Sequence, residues 1–351
     1  MSFTRLTTDD FVVSADSISS TLWTDGSPSL TTSFTSSAQA AGSTGDFYLN
    51  VYQTAATESV QFALTYGNSM GSGSAVYNPA VDGKSPTSTV YGQWQDLVIG
   101  DENTDFVFGN FTSSEFFAMP FERACYKEKL FLGSTALTIS GSLGTIQLTD
   151  NSNYVTSVQF NEAGRVFQLI SGSQGVISAN ANDPSTGYTS DSGSYGWLLP
   201  DIGAIILNPF ALSGSLAAGG CGFIYSGSGY SGSATYTSNT AAPSQMFRAI
   251  SGSLGGSINK PFFINSEETI TSDFIFVRPR SSEYNYSSNP SFISGSTGEV
   301  LYSNFINNPQ TYMTTVGLYS DTNELLAVAK LSRPLVKDFT KEALIRVKLD
   351  F

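Results

Sequence analysis

Thr311–Tyr319 (TYMTTVGLY), Ser320-Asp321-Thr322-Asn323 and Glu324–Leu331 (ELLAVAKL) read together as a β-hairpin. Both arms are rich in strand-forming residues, and the four residues between them are the small polar kind that turns favour. Beyond Arg333-Pro334 and Lys337-Asp338 comes another alternating run, Ala343–Leu349. In it Leu344, Ile345, Val347 and Leu349 supply the apolar residues, while Arg346 and Lys348 face outward. The near period of two is that of a half-buried strand. A hairpin followed by one closing strand is the expected form of this end of the chain.

The same signal recurs upstream. Phe47–Tyr52 (FYLNVY), Asp105–Phe108 (DFVF) and Phe274–Val277 (FIFV) are short β-branched and aromatic runs separated by Gly, Ser, Asn and Asp. ISGS-x-G occurs four times, at Ile139–Gly144, Ile170–Gly175, Ile250–Gly255 and Ile293–Gly298. The spacing is irregular, which excludes a solenoid or propeller period. A strand-ending Ile followed by small residues suits a turn better than a binding loop.

Helix is scarce. Ser88–Leu97 (STVYGQWQDL) places Val90, Trp94 and Leu97 on one helical face, with Ser88 positioned to cap it and Gly100 just past its end. Gly92 weakens that helix by about 1 kcal/mol. The fold expected is mainly β, an antiparallel β-sandwich with little helix. Composition divides it into an arm and first strands over 1–60, a discontinuous core over 61–140 plus 261–351, and a Gly/Ser/Thr-rich β insertion over 141–260.

The 351 residues include 13% charged and 13% aromatic ones. That is too much apolar mass for a disordered acidic chain. A net charge of −13 argues against nucleic acid as the partner. Six of the 16 basic residues, Lys330, Arg333, Lys337, Lys341, Arg346 and Lys348, fall near the end of the sequence. They form either a solvated strand face or a protein-docking surface for an acidic partner, a second copy of the chain included. Cys125 and Cys221 are too few for a disulfide scaffold and read as free buried thiols. The opening MSFTRLTTDDF has no apolar segment, so no secretion signal is expected. Pro200, Asp201 and Pro209 interrupt the most apolar stretch, Trp197–Gly219, so no membrane span is expected either.

The chain has no histidine, which removes imidazole bases, Ser-His-Asp catalysis and the commonest zinc ligand together. Gly83-Lys84-Ser85 resembles the end of a phosphate-binding loop, but Asn78 stands where the first Gly is required. Asp101-Glu102-Asn103-Thr104-Asp105 starts like a calcium loop, but Phe106 replaces the Gly of its sharp turn. A surface turn and a polar loop are the better readings. Glu267 and Glu268 are adjacent and in a strand point to opposite faces, so they make no carboxylate pair. No residue is assigned a catalytic, cofactor-binding or metal-binding role, no cofactor is expected, and the protein is read as a non-enzyme.

The stretch NNPQTYMTTVGLYSDTNELLAVAKLS and the terminal FTKEALIRVKLDF resemble the C-terminal part of virion structural proteins of T4-like myoviruses, especially cyanophages. Ser85–Val107 and Phe121–Leu130 (FERACYKEKL) resemble the N-terminal half of the same group, and together the patches cover roughly a third of the chain. Within that group the likeness is greatest to a baseplate wedge subunit of a contractile tail. The resemblance implies a β-sandwich protein of the virion, assembled in the host cytoplasm, that self-associates as a dimer and joins neighbouring tail and baseplate proteins. A second reading is a receptor- or glycan-binding tail fibre or spike protein, with the Tyr/Gly/Ser stretch Tyr225–Tyr236 as its candidate sugar-stacking loop.

Overall fold

The computed structural model describes residues 3–30, 32–34, 48–53, 59–69, 86–179, 186–189, 191–224, 242–251 and 262–350. In chain order its strands begin with β1 (Phe11–Thr21), β2 (Thr32–Phe34), β3 (Tyr48–Tyr52) and β4 (Val60–Asn68). There follow β5 (Phe106–Phe108), β6 (Phe111–Ser113), β7 (Glu115–Pro120), β8 (Lys129–Leu130), β9 (Ala136–Ser140) and β10 (Thr145–Asp150). Next come β11 (Gln159–Asn161), β12 (Gly164–Ser173), β13 (Val176–Ile177), β14 (Gly196–Leu199), β15 (Ala204–Leu207) and β16 (Phe262–Phe263). The last four are β17 (Asn265–Val277), β18 (Thr311–Tyr319), β19 (Leu325–Lys337) and β20 (Ile345–Asp350). The helices are α1 (Pro86–Ile99), α2 (Pro209–Ser213), α3 (Ala242–Ser251) and α4 (Asn304–Asn307). The fold is mainly β and antiparallel, and no helix among the described residues is long and apolar enough to cross a membrane.

Two compact units form, Ile18–Glu268 and a smaller one of Met1–Ser17 with Thr269–Phe351. This corrects the division read from composition. The Gly/Ser-rich span is no separate insertion, because β10, β12, β14 and β15 lie in the same sheet as β4 and β7. Composition misleads there because small residues are used inside the sheet as well as in loops. A Cβ on Gly196 in β14, for instance, would overlap the Ile206 carbonyl of β15.

The large unit is built on one sheet in the order β16-β9-β10-β12-β14-β15-β7-β4-β3-β2, with β11 and β13 also paired to β12. It curls into a half-barrel, and the ladder does not draw two sheets stacked face to face. Alternation sends successive residues to opposite faces, and both faces are apolar. Phe117, Met119, Leu198, Ile205 and Leu207 join the core that Met246 and Ile250 of α3 cover. Phe116, Ala118, Trp197, Leu199 and Ile206 join a second core with Val90, Tyr91 and Val98 of α1 and with Phe106 and Phe108. Burial on both sides is why β14 (GWLL) and β15 (AIIL) are continuously apolar and fully buried.

Helix α1 starts two residues before the sequence reading, with Pro86 at its first turn rather than Ser88 as cap. It stops at Gly100, which adopts φ +78° and donates to the Asp96 carbonyl at 3.0 Å. Leu97 is exposed and Val98 is buried. The inward face is therefore Val90, Tyr91, Trp94 and Val98, an i, i+1, i+4, i+8 stripe. The ISGS-x-G segments at Ile139, Ile170 and Ile293 do run into turns. In the first, Gly141 donates to the Gly144 carbonyl at 2.7 Å, and in the third, Gly298 donates to that of Ser294 at 2.8 Å. At Ile250 the same sequence begins at the end of α3 instead, and its last four residues lie outside the described ones.

Candidate functional site

The smaller unit holds the hairpin that opened the sequence reading. β18 and β19 pair as expected, Val316 opposite Ala329 and Leu318 opposite Ala327. The connection is set by Ser320, whose N–H donates to the Glu324 carbonyl at 2.9 Å and whose carbonyl accepts from Asn323 N–H at 3.0 Å. Asn323 takes the left-handed turn conformation, φ +63°. The ladder breaks between Met313 and Thr315, opposite Lys330 to Leu335. Pro334 lies in that break and has no N–H to give. The closing strand β20 does not join this hairpin. It pairs with β17, Phe274 opposite Lys348 and Ile275 opposite Val347.

The six basic residues are distributed over both pieces. Lys330 and Arg333 are exposed on β19, and neither has a carboxylate within salt-bridge distance among the described residues. Lys341 pairs with Asp338 at 3.0 Å. The Thr340 hydroxyl, with help from Lys341, holds the Asp338 carboxyl down to about 2. Arg346 and Lys348 lie over the Phe274 ring, 5.4 and 5.9 Å from its centroid. Lys348 also pairs with Asp350 at 2.8 Å, and Ser272 donates to the same carboxylate at 2.7 Å. Lys337 departs from the expected surface role, because its side chain is fully buried. Its ammonium donates to the carbonyls of Ser281 at 2.9 Å and Asp338 at 3.0 Å, and to the Asn285 side-chain oxygen at 2.8 Å. A lysine has three donors, and here all three are used inside the unit.

What sequence reasoning missed is the apolar surface around these charges. Among the described residues of this unit only Ile275, Ile345 and Val347 are buried large apolar side chains, while eighteen are exposed. One face of the hairpin carries Tyr319, Leu326 and Val328, the last two more than 60% exposed. Phe11, Val12 and Val13 are exposed on β1, an edge strand. Phe292, Tyr302 and Phe305 form an open aromatic cluster, with ring centroids 4.8 to 6.4 Å apart. Exposed large apolar side chains thus outnumber buried ones in this unit, and a lone two-stranded hairpin is at best marginally stable in water. The signal was present in the arm LLAVA of β19, which is apolar at consecutive positions and so on both faces.

The unit is also close to neutral. Residues 1–17 and 269–351 hold nine Lys/Arg and eleven Asp/Glu, net −2, leaving −11 of the chain's −13 on residues 18–268.

Of the partial motifs, the Asp101 loop is a closed turn. Thr104 and Asn103 donate to the Asp101 carboxylate at 2.6 and 3.0 Å, which lowers its pKa. Gly83-Lys84-Ser85 and Tyr225–Tyr236 lie outside the described residues. Compared with known proteins, the chain matches no family model, no curated protein and no solved structure.

Proposed function

We propose that the chain is a non-enzymatic structural subunit of a tailed-phage virion, a baseplate wedge component of a contractile tail that joins neighbouring wedge proteins. The observation that carries the reading is the smaller unit, whose few buried apolar residues stand against a large exposed apolar surface. Such a unit is stabilised by burial against another chain. The resemblance of NNPQTYMTTVGLYSDTNELLAVAKLS and FTKEALIRVKLDF to virion structural proteins falls within this same unit, so family likeness and physical need for a partner coincide. A second copy of the chain is the first occupant, since a two-fold axis lets one apolar face pair with the same face of its mate. The remaining exposed residues, Arg333 and the Phe292 cluster among them, then meet other tail proteins. The absence of histidine from the sequence supports a role without turnover.

The decisive experiment labels the chain in intact particles and locates the label by electron microscopy. Density at the tail baseplate is the expected result. Label on the capsid or at fibre tips overturns the assignment, and cleavage of host polysaccharide by the purified chain overturns the non-enzymatic reading.

A further inference from the structure

Four strands of the smaller unit, β1, β20, β18 and β19, are paired on one side only among the described residues. An open edge presents unpaired N–H and C=O groups to other chains, and natural sheets blunt such edges with charge, proline or a bulge. Three of the four are blunted. β1 carries Asp16, and β20 carries Arg346, Lys348 and Asp350. β19 carries Lys330, Arg333 and Pro334. Both irregularities of the hairpin ladder also fall on β19, which fits four residues between Lys330 and Leu335 against the one between Met313 and Thr315. β18 (TYMTTVGLY) has none of these devices. It holds no charge and no proline, and among the described residues its backbone makes no bond outside the ladder with β19.

The charge pattern selects what such an edge can take. Two copies of β18 can lie antiparallel with no like charges opposite, whereas a self-pair of β1, β19 or β20 brings like charges together. The unit around β18 is also close to neutral at −2, while residues 18–268 carry −11, so copies meet here with least repulsion. Its threonines, tyrosines and Val316 are the residue types that pair well across strands. A two-fold axis normal to the sheet keeps each face on its own side and merges two hairpins into one sheet, β19-β18-β18-β19. We propose that β18 pairs antiparallel with β18 of a further copy, joining two face-paired dimers edge to edge. The inference rests on the reading of this unit as an assembly surface. A sheet of four strands is stable in water when an apolar face is covered, and the copy packed on Leu326 and Val328 covers it.

The test places a single cysteine at each position from Tyr312 to Leu318 of the full chain, in a Cys125→Ser background, and oxidises it at rising protein concentration. In a two-fold antiparallel pair one residue lies opposite itself, within disulfide reach, and each step along the strand separates equivalent residues by about 7 Å more. A disulfide-linked product that peaks at one position is therefore expected on a non-reducing gel, with a dimer of dimers in light scattering at high concentration. Thr314→Lys with Thr315→Lys sets like charges across the axis at two exposed positions. It is expected to weaken the dimer of dimers about ten-fold, leaving the dimer and the far-ultraviolet circular dichroism unchanged. A cross-linking yield that is absent or flat along β18, or a dimer of dimers that the lysines leave intact, overturns the edge pair and leaves the face contact standing. A chain that is monomeric at every concentration overturns both contacts together.

Discussion

The ammonium of Lys337 sits 2.8 Å from the side-chain oxygen of Asn285, in a place where none of the lysine reaches solvent. Its partners are an amide and two carbonyls, so full use of all three donors is what offsets the loss of hydration. Lys337→Met therefore takes the lysine donor from the Asn285 side-chain oxygen and one of two donors from each carbonyl, since Ser281 still accepts the Asn285 amide at 2.8 Å and Asp338 the Lys341 N–H at 3.2 Å. A cost of about 2–4 kcal/mol is expected, concentrated in the smaller unit. Hydrogen exchange read by mass spectrometry should speed up over 280–286 and 335–340, while the β14–β15 amides stay protected. Unchanged exchange around Asn285 would refute this role.

Asp201 accepts Arg165 through its backbone N–H at 2.8 Å and its guanidinium at 2.5 and 3.1 Å. Burial pushes the Asp201 carboxyl up, but the bonds and charge of Arg165 outweigh it, and the folded pKa lies below the ordinary 3.8. A carboxyl depressed on folding adds stability above its unfolded pKa and loses it as pH falls through the folded one. Asp201→Asn should thus cost about 1 kcal/mol at neutral pH, given the pair's partial exposure, and progressively less as the pH falls below the ordinary carboxyl range. Urea midpoints across that range check this, and a pH-independent difference would count against it.

The two cysteines differ, contrary to the reading of both as buried. Cys125 is half-buried, whereas Cys221 is enclosed and its thiol is pushed up to about 12 by burial. Only the thiolate reacts with alkylating reagents. Iodoacetamide on the native chain should modify Cys125 slowly and Cys221 only after denaturant is added. Peptide mass mapping reads the outcome, and early labelling of Cys221 would contradict the packing.

The hairpin gives a test of assembly. Leu326→Glu with Val328→Glu charges the apolar face of β19 without touching its ladder. Light scattering should show the mass of the purified chain falling from dimer to monomer, with the far-ultraviolet circular dichroism unchanged. A wild-type chain that is already monomeric at high concentration would remove the second copy as occupant.

Much of this was legible in the sequence, unevenly. β18 matches the predicted Thr311–Tyr319 residue for residue, because alternation and a strong turn act locally. The closing strand with its outward Arg346 and Lys348 was legible too, but β20 starts two residues later than Ala343 and leaves Leu344 exposed before it. The inward turn of Lys337 was not, since it depends on Ser281 and Asn285, more than fifty residues away. The face of α1 slipped from Leu97 to Val98 because a one-residue phase error is small against an apolar stripe that also contains Tyr91. Trp197–Leu199 and Ala204–Leu207 read as one apolar stretch interrupted at Pro200-Asp201, and the interruption is the hairpin turn between β14 and β15.

The smaller unit joins the chain's first seventeen residues to those from 269 onward. During synthesis the segment 1–17 must wait, unpartnered, while the whole of 18–268 emerges and its sheet closes. The smaller unit's surface thus takes form only after the body that carries most of the negative charge has been synthesised.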